Sequence, residues 1–118
     1  MKNILILMLF LTTSTLAEEA TKSDMSEEQK IDYLIQCVIN LKDAQFVRNG
    51  KSYDSIAAGN HLKMKRKKAG TRIKTVNDFI EKLASHSLFS GKPYLIIYKS
   101  GREIDAETFY RQCLARLK

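Results

Sequence analysis

Apolar residues in this chain fall into a few stretches whose spacing changes from one to the next, and each change marks an element. The run from Ile4 to Leu11 is eight uninterrupted apolar residues, preceded by Lys2 and followed by Thr12, Thr13, Ser14 and Thr15. A membrane-spanning helix needs roughly 20 apolar residues, so this run is too short to stay in a bilayer. The order of cation, apolar core and small residues predicts a signal peptide rather than a buried N-terminal helix. Thr15-Leu16-Ala17 places small residues where a signal peptidase reads, and cleavage is expected after Ala17.

Residues 18–25 carry no pattern and are expected to be a flexible leader. From Ser26 the spacing becomes helical. Ser26 with Gln29 forms a capping-box sequence, and Ile31, Leu34, Ile35, Val38 and Leu41 recur at three- and four-residue steps to about residue 42. Phe46-Val47 followed by Asn49-Gly50 predicts a short strand ending in a tight turn. A second helix, thin in apolar residues, is expected from a cap at Asp54 to about Lys68, where Ala69-Gly70 ends it. Thr75 opens a third helix striped by Val76, Phe79, Ile80, Leu83 and Ala84. Ser85 to Pro93 reads as a loop.

Tyr94 to Tyr98 is the strongest strand signal, nearly all apolar, and predicts a central strand buried on both faces. Ser100-Gly101 turns the chain, Arg102 to Ile104 pairs back, and Asp105 caps a last helix whose Phe109, Tyr110, Cys113, Leu114 and Leu117 face inward. The expected fold is α+β: about four helices packed on a small antiparallel sheet of two to three strands, as one domain over 26–118.

Charge and cysteines narrow the compartment and the partners. The chain has 118 residues with 20 cationic and 13 anionic side chains, an excess that favours polyanions without choosing among them. An exported chain with two cysteines, Cys37 and Cys113, is expected to join them, and closing so long a loop stabilises by roughly 4 kcal/mol. Two buried free thiols and a redox pair are the other readings, although no CxxC spacing is present to depress a thiol. No cysteine follows Ala17, so a lipid anchor at the cut is not expected.

Projected down its axis, the second helix places Ala57, Ala58, His61, Leu62, Met64 and Lys65 on one arc, with Lys63, Arg66 and Lys67 opposite. His61 and Lys65 are therefore expected on the protein-facing side. There they are either a partly buried histidine and a snorkelling lysine, or part of a polar pocket with Arg48, Asn49, Tyr53 and the serine loop. Ser85, Ser87, Ser90 and Gly91 offer hydroxyls and N–H groups to an anion, with Arg48 as a bidentate fork; otherwise they cap the neighbouring elements. Lys63, Arg66, Lys67, Lys68, Arg72 and Lys74, with Lys65 among them, form a basic cluster suited either to solvent or to an anionic envelope surface. No aromatic residue interrupts it to stack a base, which argues against nucleic acid.

Metal ligation would have only His61, His86 and the two cysteines, at no ligand spacing, and no metal or cofactor is expected. A Ser-His hydrolase would lack a G-x-S-x-G turn. A glycosidase would need carboxylates that already suit the helix starts. The leading expectation is a binding module for an anionic ligand or envelope polymer. The alternatives are a small serine-histidine hydrolase, or a structural or protein-interaction factor with no ligand.

Two segments resemble the YfeK-like proteins, small exported bacterial proteins of unknown function. The first is Phe46-Val47-Arg48-Asn49-Gly50 with Tyr53, His61-Leu62 and Lys65. The second is Ile73, Thr75, Phe79-Ile80, Ala84-Ser85, Ser87, Ser90-Gly91-Lys92 and Tyr94. The resemblance implies a shared fold and a bacterial periplasm; the partner expected there is an anionic envelope component or another periplasmic protein. Where that family places a Trp-Leu pair near the C-terminus, this chain has Phe109-Tyr110 and no Trp.

Overall fold

A computed structural model describes residues 24–117, so the expected signal peptide and most of the leader lie outside the described residues. In chain order the elements are α1 (Glu27–Ile39), β1 (Ala44–Arg48), β2 (Lys51–Tyr53) and α2 (Ser55–Ala69), followed by a 3-10 turn (Gly70–Arg72). Then come α3 (Val76–Asp78), which widens into a π-helical stretch (Phe79–Ala84), β3 (Leu95–Tyr98), β4 (Glu103–Asp105) and α4 (Ala106–Ala115). The strands form one antiparallel sheet in the order β2-β1-β3-β4. The sheet thus has four strands where two to three were expected. The addition is β2, three mostly polar residues at an edge, too short to show alternation and touching the core only through Tyr53.

Each helix starts where a side chain satisfies the unpaired N–H groups of its first turn. Ser26 and Gln29 exchange bonds of 3.1 and 2.9 Å, and Thr75 and Asp78 do the same at 3.0 and 3.3 Å. Asp54 accepts from Ala57 N at 2.7 Å and Asp105 from Thr108 N at 2.8 Å. The first N–H of α3, on Val76, goes to the Glu27 carboxylate at 2.9 Å, which locks α3 to α1 and holds that carboxyl below its usual range. Helix α1 ends at Ile39, a few residues before the expected position, because Asn40 caps it and Asp43 turns the chain with φ of 55°.

One row of the sheet, Tyr53, Phe46, Ile96 and Ile104 in register, faces the helices. Phe46 and Ile96 are buried there, and Phe46 meets Phe109 edge-on, with Phe109 against Tyr110 and Tyr110 against Phe79 in turn. Leu95 and Ile97 point the other way and are only half-buried. The central strand is therefore fully buried on one face and not on both. Its continuous apolarity reflects a sheet whose second face is only partly shielded.

Helix α2 also sits differently from the arc its few apolar residues suggested. Gly59 and Leu62 are its buried centre and Met64 is exposed. The cause is Gly59: a Cβ there would lie 2.3 Å from Ile39 Cγ1, so the missing side chain lets α1 approach and rotates the helix about that contact. His61 and Lys65 end up on one flank of this seam and Arg66 on the other, each half-buried. Among the described residues no helix is long and apolar enough to cross a membrane.

Candidate functional site: an aromatic cavity at His61

The Arg48 end of β1, Tyr53 of β2, the first half of α2 and the start of α4 leave a gap between sheet and helices. Phe46, Tyr53, Tyr94 and Tyr110 wall it, with Ala58, Leu62 and Ala106 between them, and Arg48 and His61 supply its charge-capable groups. The cavity volume is about 50 Å³. A buried water needs on the order of 10–15 Å³ by the same measure, so the space suits a few waters or the polar end of a larger molecule.

His61 Nε2 is buried there with no hydrogen-bond partner. Buried polar atoms are nearly always paired, so an orphan in a cavity marks a place where a partner fits. Burial pushes the imidazole below its ordinary pKa, and the cations of Arg48, Lys65 and Lys68 push it the same way. The ring is neutral at pH 7. Arg48 lies with its guanidinium 5.3 Å from the Tyr53 ring centroid, a cation–π contact that holds the head at the rim. Tyr110 is fully enclosed, and burial raises its phenol far above the usual range, so it stays protonated.

Lys65, one turn beyond His61, does not line this cavity. Its ammonium donates to Leu83 O at 2.7 Å and Tyr94 Oη at 3.0 Å, and lies 5.0 Å from the Tyr94 ring centroid. It thus anchors α2 to the carbonyl end of the π-helical stretch, where a cation is favoured, and fixes Tyr94 as a wall. The serine loop is likewise turned inward on itself. Ser87 Oγ accepts from Asn49 Nδ2, Phe89 N and Ser90 N, each at 3.3 Å, and Ser90 Oγ donates to Asn49 Oδ1 at 2.8 Å. Gly91, with φ of 71°, closes the turn by donating its N–H to Ser87 O at 2.8 Å. These groups stitch the loop to the β1–β2 turn. Ser85 Oγ is buried without a partner, but Ser85 does not line the cavity.

Of the sequence-derived candidates, the structure brings Arg48, Tyr53 and His61 together, sets Lys65 behind Tyr94, and gathers Asn49, Ser87, Ser90 and Gly91 into a separate network. Among the described residues no serine hydroxyl bonds His61 Nε2. The walls Phe46, Tyr94 and Tyr110 were not picked out as site residues. They come from three distant segments, and their only signal was aromatic residues at the ends of inward-facing stripes.

The basic cluster divides in the same way. Arg66 pairs with Asp32 of α1, and Arg72 donates to the carbonyls of Ala69 at 3.1 Å and Lys68 at 3.3 Å, closing the end of α2. Lys63, Arg66, Lys67 and Lys74 border an open groove between α1 and α2 that Glu28 and Asp32 also line. Among the described residues no group of three or more His, Cys, Asp or Glu side chains is placed to hold a metal ion.

Residues 25–118 match a family described as being of unknown function, DUF5329. The chain belongs to that family. It is also 40% identical over 68 residues to the uncharacterized protein YfeK of Salmonella typhimurium, an alignment covering 58% of this chain and 57% of that protein. The chain therefore matches little more than half the length of that relative. No solved structure matches it. Family membership thus supports the YfeK-like resemblance and leaves the cavity as the guide to activity.

Proposed function

We propose that this protein is an exported binding module, released by cleavage after Ala17 into a bacterial periplasm, whose His61 cavity receives the anionic end of an envelope molecule. The observation carrying this reading is the unpartnered His61 Nε2, held beside the Arg48 guanidinium in a cavity of aromatic walls. A carboxylate or phosphate oxygen entering there would pair with the Arg48 fork, and a second oxygen or hydroxyl would meet His61. The aromatic walls would pack the adjoining carbon atoms. Lys63, Lys67 and Lys74, outside the cavity, would add long-range attraction for a polyanion that weakens with salt. In the oxidising compartment Cys37 and Cys113 would bond and tie α1 to α4.

The test is titration of the protein with purified lipopolysaccharide and with a muropeptide, followed through the His61 Cε1–H resonance. The expected result is a shift of that resonance together with a raised His61 pKa, because an anion beside the ring offsets the cations that lower it. Both responses should vanish in Arg48→Ala. Binding of either probe that survives unchanged in the Arg48→Ala, His61→Ala double variant would sink the cavity reading.

A further inference from the structure

At the far end of β1 and β3 from the His61 cavity, α1 and α4 bring two thiols together under one guanidinium. Arg116 Nη2 lies 2.9 Å from Cys113 Sγ and 3.9 Å from Cys37 Sγ. Cys113 is fully buried, while Cys37 is half-buried and opens onto a groove bordered by Tyr33, Asn40, Tyr98 and Gln112. A structural crosslink needs only the two sulfurs. The guanidinium aimed at both, and the access given to one, are what an exchange reaction requires.

We infer that Cys37, Cys113 and Arg116 form a thiol–disulfide exchange site in which Cys37 is the attacking sulfur and low-molecular-weight disulfides are the co-substrate. This deepens the crosslink proposed above and is independent of the His61 cavity. The Cys37 thiolate attacks one sulfur of RS–SR; a bond forms from Cys37 to that sulfur, the RS–SR bond breaks, and the departing RS⁻ takes a proton from solvent. Cys113 then gives its proton to solvent and attacks the Cys37 sulfur, breaking the mixed disulfide and releasing the second RS⁻. Two electrons pass from the dithiol to RS–SR, leaving one protein disulfide and two RSH.

The surroundings favour this division of labour. Hydrogen bonding from the Cys113 thiol is the main cause that lowers Cys37 to about 6, against the opposing effect of burial, with Tyr33 and Arg116 assisting. The same hydrogen bond and burial raise Cys113 above the ordinary thiol range. Arg116 stands closer to Cys113, yet the negative charge settles on Cys37, the less buried residue, which accepts the Cys113 thiol's hydrogen bond. Arg116 stabilises whichever sulfur is anionic as charge passes between them.

The experiment is reaction of the fully reduced protein with glutathione disulfide and, separately, with iodoacetamide between pH 5 and 9. Glutathione disulfide should release two equivalents of glutathione from the wild type, whereas Cys113→Ser should stop as a mixed disulfide at Cys37. Alkylation should fall on Cys37 with a midpoint near the value given above, and Arg116→Gln should move that midpoint upward and slow labelling at pH 6 by several-fold. Three results would overturn the proposal: Cys113 labelled first, a Cys37 midpoint at or above 8, or an oxidised protein that neither forms from nor is reduced by glutathione over hours. The last would leave a purely structural crosslink standing. If no crosslink forms under any oxidant, both readings fail.

Discussion

His61 and Lys65 lie one helical turn apart on the same flank of α2, yet one region around them is closed and the other is open. Around Lys65 and the serine loop the polar groups other than the Ser85 hydroxyl are paired: ammonium to carbonyl and phenol, Ser87 to Asn49 and two backbone N–H groups, Ser90 to Asn49. Around His61 the walls are aromatic and the ring nitrogen has none. The first region holds the fold together; the second costs stability and offers a site. The polar residues richest in hydroxyls and amides are therefore structural, and the single histidine nitrogen among aromatic rings is the candidate for function.

The contrast can be broken from either side, and the largest effect is expected at Lys65. Lys65→Met keeps the apolar stem but leaves Leu83 O and Tyr94 Oη without their charged donor, and should lower stability by about 2 kcal/mol, read as a lower urea midpoint at unchanged slope. Ser87→Ala removes the acceptor shared by Asn49 and two loop N–H groups. Because that loop is partly wet, the expected loss is smaller, about 1 kcal/mol by the same measurement.

At His61 the sign should reverse. His61→Leu replaces an unpaired buried nitrogen by carbon, so stability should be unchanged or rise by up to about 1 kcal/mol while binding of an anionic probe is lost. A drop of more than about 2 kcal/mol would mean that the ring is structural after all.

The subtlest effect is in pH. The folded-state pKa of His61 is depressed by burial and neighbouring cations. The unfolded chain therefore binds the proton more readily, and stability falls as pH drops from about 6.5 through the folded pKa. Urea midpoints of the wild type should show this decline before the carboxylates titrate, and His61→Leu should remove that part of it. A decline that is identical in both proteins would place its origin elsewhere.

Much of the fold was readable because its cause is local. Ser26, Asp54, Thr75 and Asp105 satisfy nearby N–H groups and do so whatever the rest of the chain does. The stripes of α1, α3 and α4 follow from spacing alone. The missed strand β2 has no such local cause: Lys51, Ser52 and Tyr53 are extended because β1 offers them a partner. The arc of α2 could not be placed either, since too few apolar residues fix its rotation and the decision falls to the contact of Gly59 with Ile39. The site was half legible for the same reason. His61, Arg48 and Tyr53 belong to neighbouring segments, whereas Tyr94 and Tyr110 reach the cavity only through strand register and helix packing.

By itself, then, the sequence determined the helix starts, the α+β class and a His61 on the protein-facing side of α2, whereas the crosslink expected between Cys37 and Cys113 is not formed and both are free thiols. The tertiary structure decided which polar groups find partners and which do not. Pairing depends on distances of about 3 Å between residues far apart in the chain, such as Asn49 with Ser87 or Lys65 with Leu83. No periodicity encodes a distance of that kind. The orphaned nitrogen of His61 and the guanidinium over two thiols are visible only once the helices have packed.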